Sequence, residues 1–289
     1  DATTISGFIT NNQFILRKFS FTDIESGNFL STETSDLIPA FPTYIVSCFK
    51  ASTGEIECMI LDDERNLKVF KFNNDLNKIG TFGLDSFKNY MPTYLFFKCI
   101  HLKENVGVYG YYLDNDSKPK IQIKKIDGSD YISSKEKIEI NKLDYPLSSH
   151  FNKNDLVRIN DNRFVFISQT DEDNITYYII LFIFTIFDNG NKIENDIYKI
   201  PLYNFYRLLP QEGVRGFVHN GILGIGFTGQ NVTDSTIQTN FFFLSYPNGT
   251  DYVEQTQPKV CIFNNKVTFE DGVVRVPGIV LKAIYGYRL

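Results

Sequence analysis

Acidic residues crowd four loops of this chain: Asp62, Asp63 and Glu64; Asp114 and Asp116; Asp171, Glu172 and Asp173; and Asp234. Two chemistries use such groups. A ring of carboxylate oxygens can bind Ca²⁺, and a pair flanking a glycosidic bond can hydrolyse it. The spacing specifies neither. No D-x-D-x-D-G calcium loop is present, and carboxylates are ordinary turn residues because they hydrogen-bond their own backbone. Catalytic carboxylates need burial to tune them, whereas these fall in outward hairpin loops. The expectation is a turn and solubility role, with no metal and no cofactor.

Other catalytic sets are missing from the pattern. His101, His150 and His219 are scattered and no CxxC accompanies them, so no metal-ligand spacing emerges. His150 follows Ser148 and Ser149, but no G-x-S-x-G elbow is present, and His219 sits in a turn beside Asn220-Gly221. Gly221, Gly224, Gly226 and Gly229 space a strand and its ends, as expected where strands approach closely, and form no phosphate loop. No catalytic residue is assigned, and the chain reads as a non-enzyme.

The cysteines carry a sharper geometric expectation. Cys48 and Cys58 flank Ser52-Thr53-Gly54. A three-residue turn with Gly54 in the left-handed conformation sets Ala51 opposite Glu55, and counting outward sets Cys48 opposite Cys58. Facing residues of an antiparallel pair are close enough for a disulfide, which fits an extracellular protein. The alternative is two buried thiols. Cys99, in the equivalent strand of the next unit, and Cys261 either pair with each other or with residues outside this chain.

Four N-glycosylation sequons occur, at Asn115, Asn174, Asn231 and Asn248. Their number is what an Asn- and Thr-rich chain produces by chance, so position is the evidence. Asn115, Asn174 and Asn231 recur between the second and third strands of successive units, and glycans there would clothe one face. Asn248 belongs to a later turn, expected on the opposite face.

Those units are the elements that position everything above. Phe41-Pro42-Thr43-Tyr44 and Met91-Pro92-Thr93-Tyr94 lie fifty positions apart. Four units follow one plan of strand, turn, strand, polar loop, strand. The first has strands at 44–50, 56–61 and 67–72, with 75–90 read as a loop and weak outer strand. The second has 94–102, 106–112 and 120–125. The third has 156–159, 164–168 and a long strand from Tyr177. The fourth has 214–218, 222–227 and 240–246. Phe14 to Phe21 adds strand material before them, and 260–263, 266–269 and 279–285 after. A period in the forties to fifties with several short strands is a propeller signature. The expected fold is all-β: a propeller of about five blades, or the tail of a larger one, at roughly 50 residues per blade. Residues 1–40 feed a closing blade, 41–250 hold the four repeats, and 251–289 close the ring or start a further module. A β-sandwich or solenoid is the rival.

Composition closes off other classes. A formal charge of −5 with interspersed signs leaves no basic footprint for nucleic acid. The longest apolar run, Tyr177 to Phe187, falls short of the roughly 20 residues a membrane helix needs and reads as one buried strand. The start at Asp1 reads as a removed signal peptide or a segment of a longer chain. With 27 Phe, 17 Tyr and no Trp, the aromatic supply points to an AT-rich genome. In style and composition the chain resembles repeat-bearing secreted β-propeller surface proteins of protists, which implies no residue assignments. The expected function is a secreted or surface-displayed N-glycosylated structural protein, an adhesive, coat or filament subunit that binds other protein chains or itself. A propeller glycoside hydrolase or lectin is the alternative.

Enzymatic removal of N-glycans from the native protein should lower its intact mass and convert sequon asparagines to aspartate. An unchanged mass on native material would remove the extracellular reading.

Overall fold

The computed structural model describes residues 3–20, 33–41, 46–87, 95–113, 119–131, 138–139, 154–169, 178–187, 190–201, 205–208, 214–219, 222–231, 237–245, 259–263, 268–270 and 273–275. Among them the regular structure is all strand, in separate antiparallel sheets. The chain divides into two compact units, Asp1–Leu143 with Ile186–Ile193, and Asp144–Thr185 with Glu194–Leu289.

The first unit holds three sheets. The first sheet contains β1 (Thr3–Thr10), β2 (Gln13–Ser20), β3 (Glu33–Thr34) and β4 (Ile38–Pro39), with β3 and β4 pairing successive parts of β2. Its tight hairpin turns at Asn11 and Asn12, both at positive φ, which asparagine tolerates. The second sheet runs β5 (Ser47–Lys50), β6 (Ile56–Leu61), β7 (Asn66–Phe72) and β8 (Lys78–Ser86) in order. The third runs β9 (Leu95–Lys103), β10 (Val106–Leu113), β11 (Lys120–Lys125) and β12 (Ile138–Glu139).

These sheets stack face to face. Phe14, Leu16 and Ile38 of the first pack on Ile56, Cys58, Ile60, Phe70 and Phe72 of the second. The opposite face of the second sheet, through Met59, Leu61, Leu67 and Val69, packs on Phe97, Cys99, Tyr109 and Tyr111 of the third. Every residue of β6 is therefore buried. Its six residues divide strictly by pleat, with 56, 58 and 60 facing the first sheet and 57, 59 and 61 facing the third.

The second unit contains, apart from residues 186–187 and 192–193, the sheet of β13 (Asn154–Asn160), β14 (Arg163–Gln169), β15 (Tyr178–Phe187) and β16 (Lys192–Pro201). The next sheet has β17 (Phe205–Leu208) and β18 (Val214–His219) on one side of β19 (Ile222–Asn231), followed by β20 (Ile237–Ser245) and β21 (Lys259–Phe263). Strands β22 (Thr268–Glu270) and β23 (Val273–Arg275) form a separate hairpin. Val165, Ile167, Ile179, Leu181 and Ile183 pack on Val214, Leu223, Ile225 and Phe227. The other face of β14 and β15 is aromatic, with Phe164 stacked on Phe184 at a centroid distance of 5.0 Å. Both faces of β15 are buried, as its apolar run requires.

Two segments differ from expectation, and a third, the weak outer strand expected within 75–90, is longer and more regular than expected. Residues 3–20 and 33–39 build a sheet of their own, because the polar-looking run at Thr3–Thr10 pairs along its whole length with β2. Residues 78–86 form a nine-residue strand at the sheet edge. Its mostly exposed side chains, with Gly80 and Gly83 among them, gave it little apolar signal. Lys259–Phe263 belongs to the last repeat, where it pairs with β20 as the outer strand. The stretch expected at 279–285 lies outside the described residues.

Phe14 and Phe72 are both fully buried, with ring centroids 6.3 Å apart across the first two sheets. Phe14→Ala should destabilise the protein by about 3–5 kcal/mol, measured by urea unfolding. Ile79→Ser, on exposed β8, should stay within about 0.5 kcal/mol of the parent.

Candidate functional site

The chemistry-bearing side chains of the first unit gather where β5 and β6 meet β9 and β10. The β5–β6 turn closes with the Ala51 amide donating to the Glu55 carbonyl at 2.7 Å and the Gly54 amide to the Ala51 carbonyl at 2.9 Å. Gly54 has φ +92, a left-handed value that a side chain would strain. The register continues outward to pair Cys48 with Cys58. Alternation from the bonded Ala51–Glu55 pair makes this a non-hydrogen-bonded position, where Cα atoms approach to about 4.5 Å.

The structure holds Cys48, Cys58 and Cys99 as free thiols, the first exposed and the other two buried. Burial, reinforced by Cys48, pushes the Cys58 thiol well above its ordinary pKa. Burial raises Cys99 as well, against the pull of its bond to Ser47. The Cys99 thiol donates to the Ser47 carbonyl at 3.0 Å, and the Cys99 amide donates to Ser47 Oγ at 2.9 Å. Cys261 stands opposite Phe243 on β21.

Deeper between the second and third sheets, the Tyr109 hydroxyl donates to Glu57 Oε2. Both residues are fully buried. Desolvation drives the Glu57 carboxyl from 4.5 to about 7, opposed by the Tyr109 hydrogen bond and by Lys71 and assisted by Glu55. Burial and the neighbouring carboxyl likewise push the Tyr109 phenol up. Phe49 and Phe82 enclose the Tyr109 ring at 6.2 and 5.6 Å. Gly107 is obligatory beneath it, since a Cβ there would meet the Tyr109 hydroxyl and come within 2.9 Å of Phe49. A second buried network lies beside it. Gln122 Nε2 donates to the Tyr111 hydroxyl at 2.7 Å and to the Leu84 carbonyl at 2.9 Å, and Tyr111 donates to Asp85 at 3.0 Å.

The second unit has a smaller counterpart. Asp155, buried on β13, accepts the Leu156 amide at 2.9 Å and the Gly216 amide of β18 at 2.7 Å. Ser168 donates to Asn154 Oδ1 at 2.7 Å beside them.

The acidic loop between β6 and β7, expected to serve its turn, can be followed at Asp62–Asn66. Asp62 staples its own turn, accepting the Asn66 amide at 2.7 Å and pairing with Lys68 at 2.5 Å. Partial burial works against its ionisation, but the bonds from Lys68 and Asn66 prevail and lower its pKa. Asp63 and Glu64 complete that turn, and Glu64 also approaches Asn66 at 3.3 Å. Among the described residues no group of three His, Cys, Asp or Glu side chains is placed to hold a metal. His101 meets the Glu104 carbonyl at 2.8 Å and lies against Phe49. His219 ends β18 opposite Ile222, and Asn231 ends β19 opposite Phe205. Asn115, Asn174, Asn248, His150, Asp114, Asp116, Asp171, Glu172, Asp173 and Asp234 lie outside the described residues.

Sequence reasoning passed over Glu57 and Tyr109. The signal was an acid inside the six-residue apolar run Ile56–Leu61, a placement that demands a partner.

No family model and no curated protein matches the chain. Among solved structures, an arginine-to-alanine triple mutant of AofleA from Arthrobotrys oligospora aligns over 91% of this chain and 87% of its own, at 8% identity and a TM-score of 0.39. A likeness at that score carries no argument about fold or function.

The burial and raised pKa of two thiols set an order of reactivity. In the reduced, folded protein a thiol alkylating reagent should modify Cys48 first, leaving Cys58 and Cys99 unreacted until the protein is unfolded. Peptide mass mapping at increasing denaturant reads the order, and equal rates at all three would contradict it.

Proposed function

We propose that the chain is a secreted, N-glycosylated β-propeller that works through protein–protein contacts as an adhesive, coat or filament subunit. One observation carries this reading. In each unit small antiparallel sheets pack face to face, four-stranded in the first unit and four- and five-stranded in the second, and polar groups where they meet make cross-sheet bonds. Cys99 bonds Ser47 in the first unit, and Gly216 bonds Asp155 in the second. A stack of small antiparallel sheets is the building plan of propeller blades.

The hydrolase alternative needs two free carboxyls about 5–9.5 Å apart at a cavity. The buried first- and second-strand carboxyls of the described residues, Asp155 and Glu57, already hold backbone or tyrosine partners. Support for an extracellular setting comes from Cys48 facing Cys58 in disulfide-competent register and from sequons recurring between second and third strands. On this reading the sugar-free face and the terminal strands are the surfaces that meet partners.

Electron microscopy of the native, secreted particle should show a disc-like ring within a larger protein assembly, with Cys48 and Cys58 linked in its peptide map. A glycan-free monomer that turns over oligosaccharides would overturn the proposal in favour of the hydrolase.

A further inference from the structure

Glu57 is the one charged residue of β6, a strand buried on both faces. Oε2 accepts the Tyr109 hydroxyl, whereas Oε1 is buried without a partner among the described residues. Lys71, its cross-strand neighbour on β7, lies 3.7 Å from Glu55 Oε2 and completes no pair with Glu57. The remaining surroundings are Phe49 from β5, Tyr109 above Gly107 from β10, and Phe82 from β8. The other titratable groups nearby are the Cys99 thiol and half-buried His101 on β9, with Cys48 and Cys58 on the far side of the β5–β6 ladder. An ionised Glu57 would place charge on an oxygen that nothing solvates, and a neutral one would not.

We propose that Glu57 and Tyr109 form a proton-operated clasp between the second and third sheets, closed while Glu57 is neutral and loosened when it ionises. Closure costs one proton, taken up by the carboxyl from solvent and returned there on opening. The reading is independent of whether the sheets belong to a propeller.

The direction with pH follows from the carboxyl's two environments. Its pKa is 4.5 in the ordinary state and about 7 in the folded one. Across that window the folded chain keeps a proton that the unfolded chain has released. The stabilisation is therefore complete below the lower value, declines as pH rises toward 7, and is gone above it.

Thermal melting of the wild type and Glu57→Gln, from acid to mildly alkaline pH, isolates this group, because every other carboxyl titrates in both proteins. Glutamine keeps an acceptor for Tyr109 and carries no charge. Wild type should lose Tm relative to the variant across the window and stay flat beyond it. Amide exchange in Ile56–Leu61 and Val106–Leu113, taken relative to Glu57→Gln at each pH so that the intrinsic base catalysis cancels, should accelerate roughly tenfold or more across the window, since each unit of pKa shift is a factor of ten. A Tm difference independent of pH overturns the clasp. Tyr109→Phe supplies a second arm should Glu57→Gln fail to fold. Without the hydroxyl that favours the carboxylate, the midpoint should move to higher pH, and a protonated-carboxyl infrared band should persist further into alkali. An unmoved midpoint and band overturn the proposal as well.

Discussion

Burial of the second sheet on both faces is the constraint from which the first unit's other features follow. A strand so enclosed has no solvent side, so each residue of β6 must suit one of two interfaces. Ile56, Cys58 and Ile60 do so on the first sheet, and Met59 and Leu61 on the third. Each apolar side chain contributes about 1.5–3 kcal/mol by leaving water. Glu57 reverses that sign, and three local choices accommodate it. Tyr109 brings a hydroxyl, Phe49 and Phe82 wall off the ring, and Gly107 leaves space below it. Removing the acid would make each of those choices unnecessary.

The cross-sheet bonds also say what the repeat is. Ser47 to Cys99, Ser52 to Glu104 and Glu57 to Tyr109 each join residues 52 positions apart. Asp155 and Gly216 are 61 apart, in the unit whose repeats are longer. The bonds share a separation close to one repeat length and share no chemistry: serine to amide, serine to carbonyl, tyrosine to carboxyl, carboxylate to amide. What recurs along this chain is strand placement. Each junction between sheets is then satisfied by whatever polar groups the local sequence offers, which is why only Pro-Thr-Tyr shows the repeat as letters.

That distinction decides what was legible in the sequence. Interior strands could be read because burial imposes an apolar signal: the ranges expected for Ile56–Leu61 and Lys120–Lys125 coincide with β6 and β11. Turn chemistry was legible for the same reason, since Gly54 fixes the count that sets Cys48 against Cys58. Strand β8 was obscure because an edge needs no apolar face, and β1 because Thr3, Thr4, Ser6, Gly7 and Thr10 mask its pairing. The Glu57–Tyr109 contact lay beyond pattern reading altogether. Periodicity reports which side of a strand is buried, and not which residue of the next sheet arrives there.

The edge at β8 bears on how such a chain could meet partners. A nine-residue outer strand is a template for indiscriminate pairing. Here the pairing of β7 with β8 shifts register at Leu67/Lys68 and again at Lys71/Phe72, which twists the edge out of line. Lys78 lies over the Phe70 ring at 5.0 Å and sets a charge at the strand's start. Both features work against simple strand addition at this position. An edge blunted in this way keeps its unpaired backbone groups from templating a further strand.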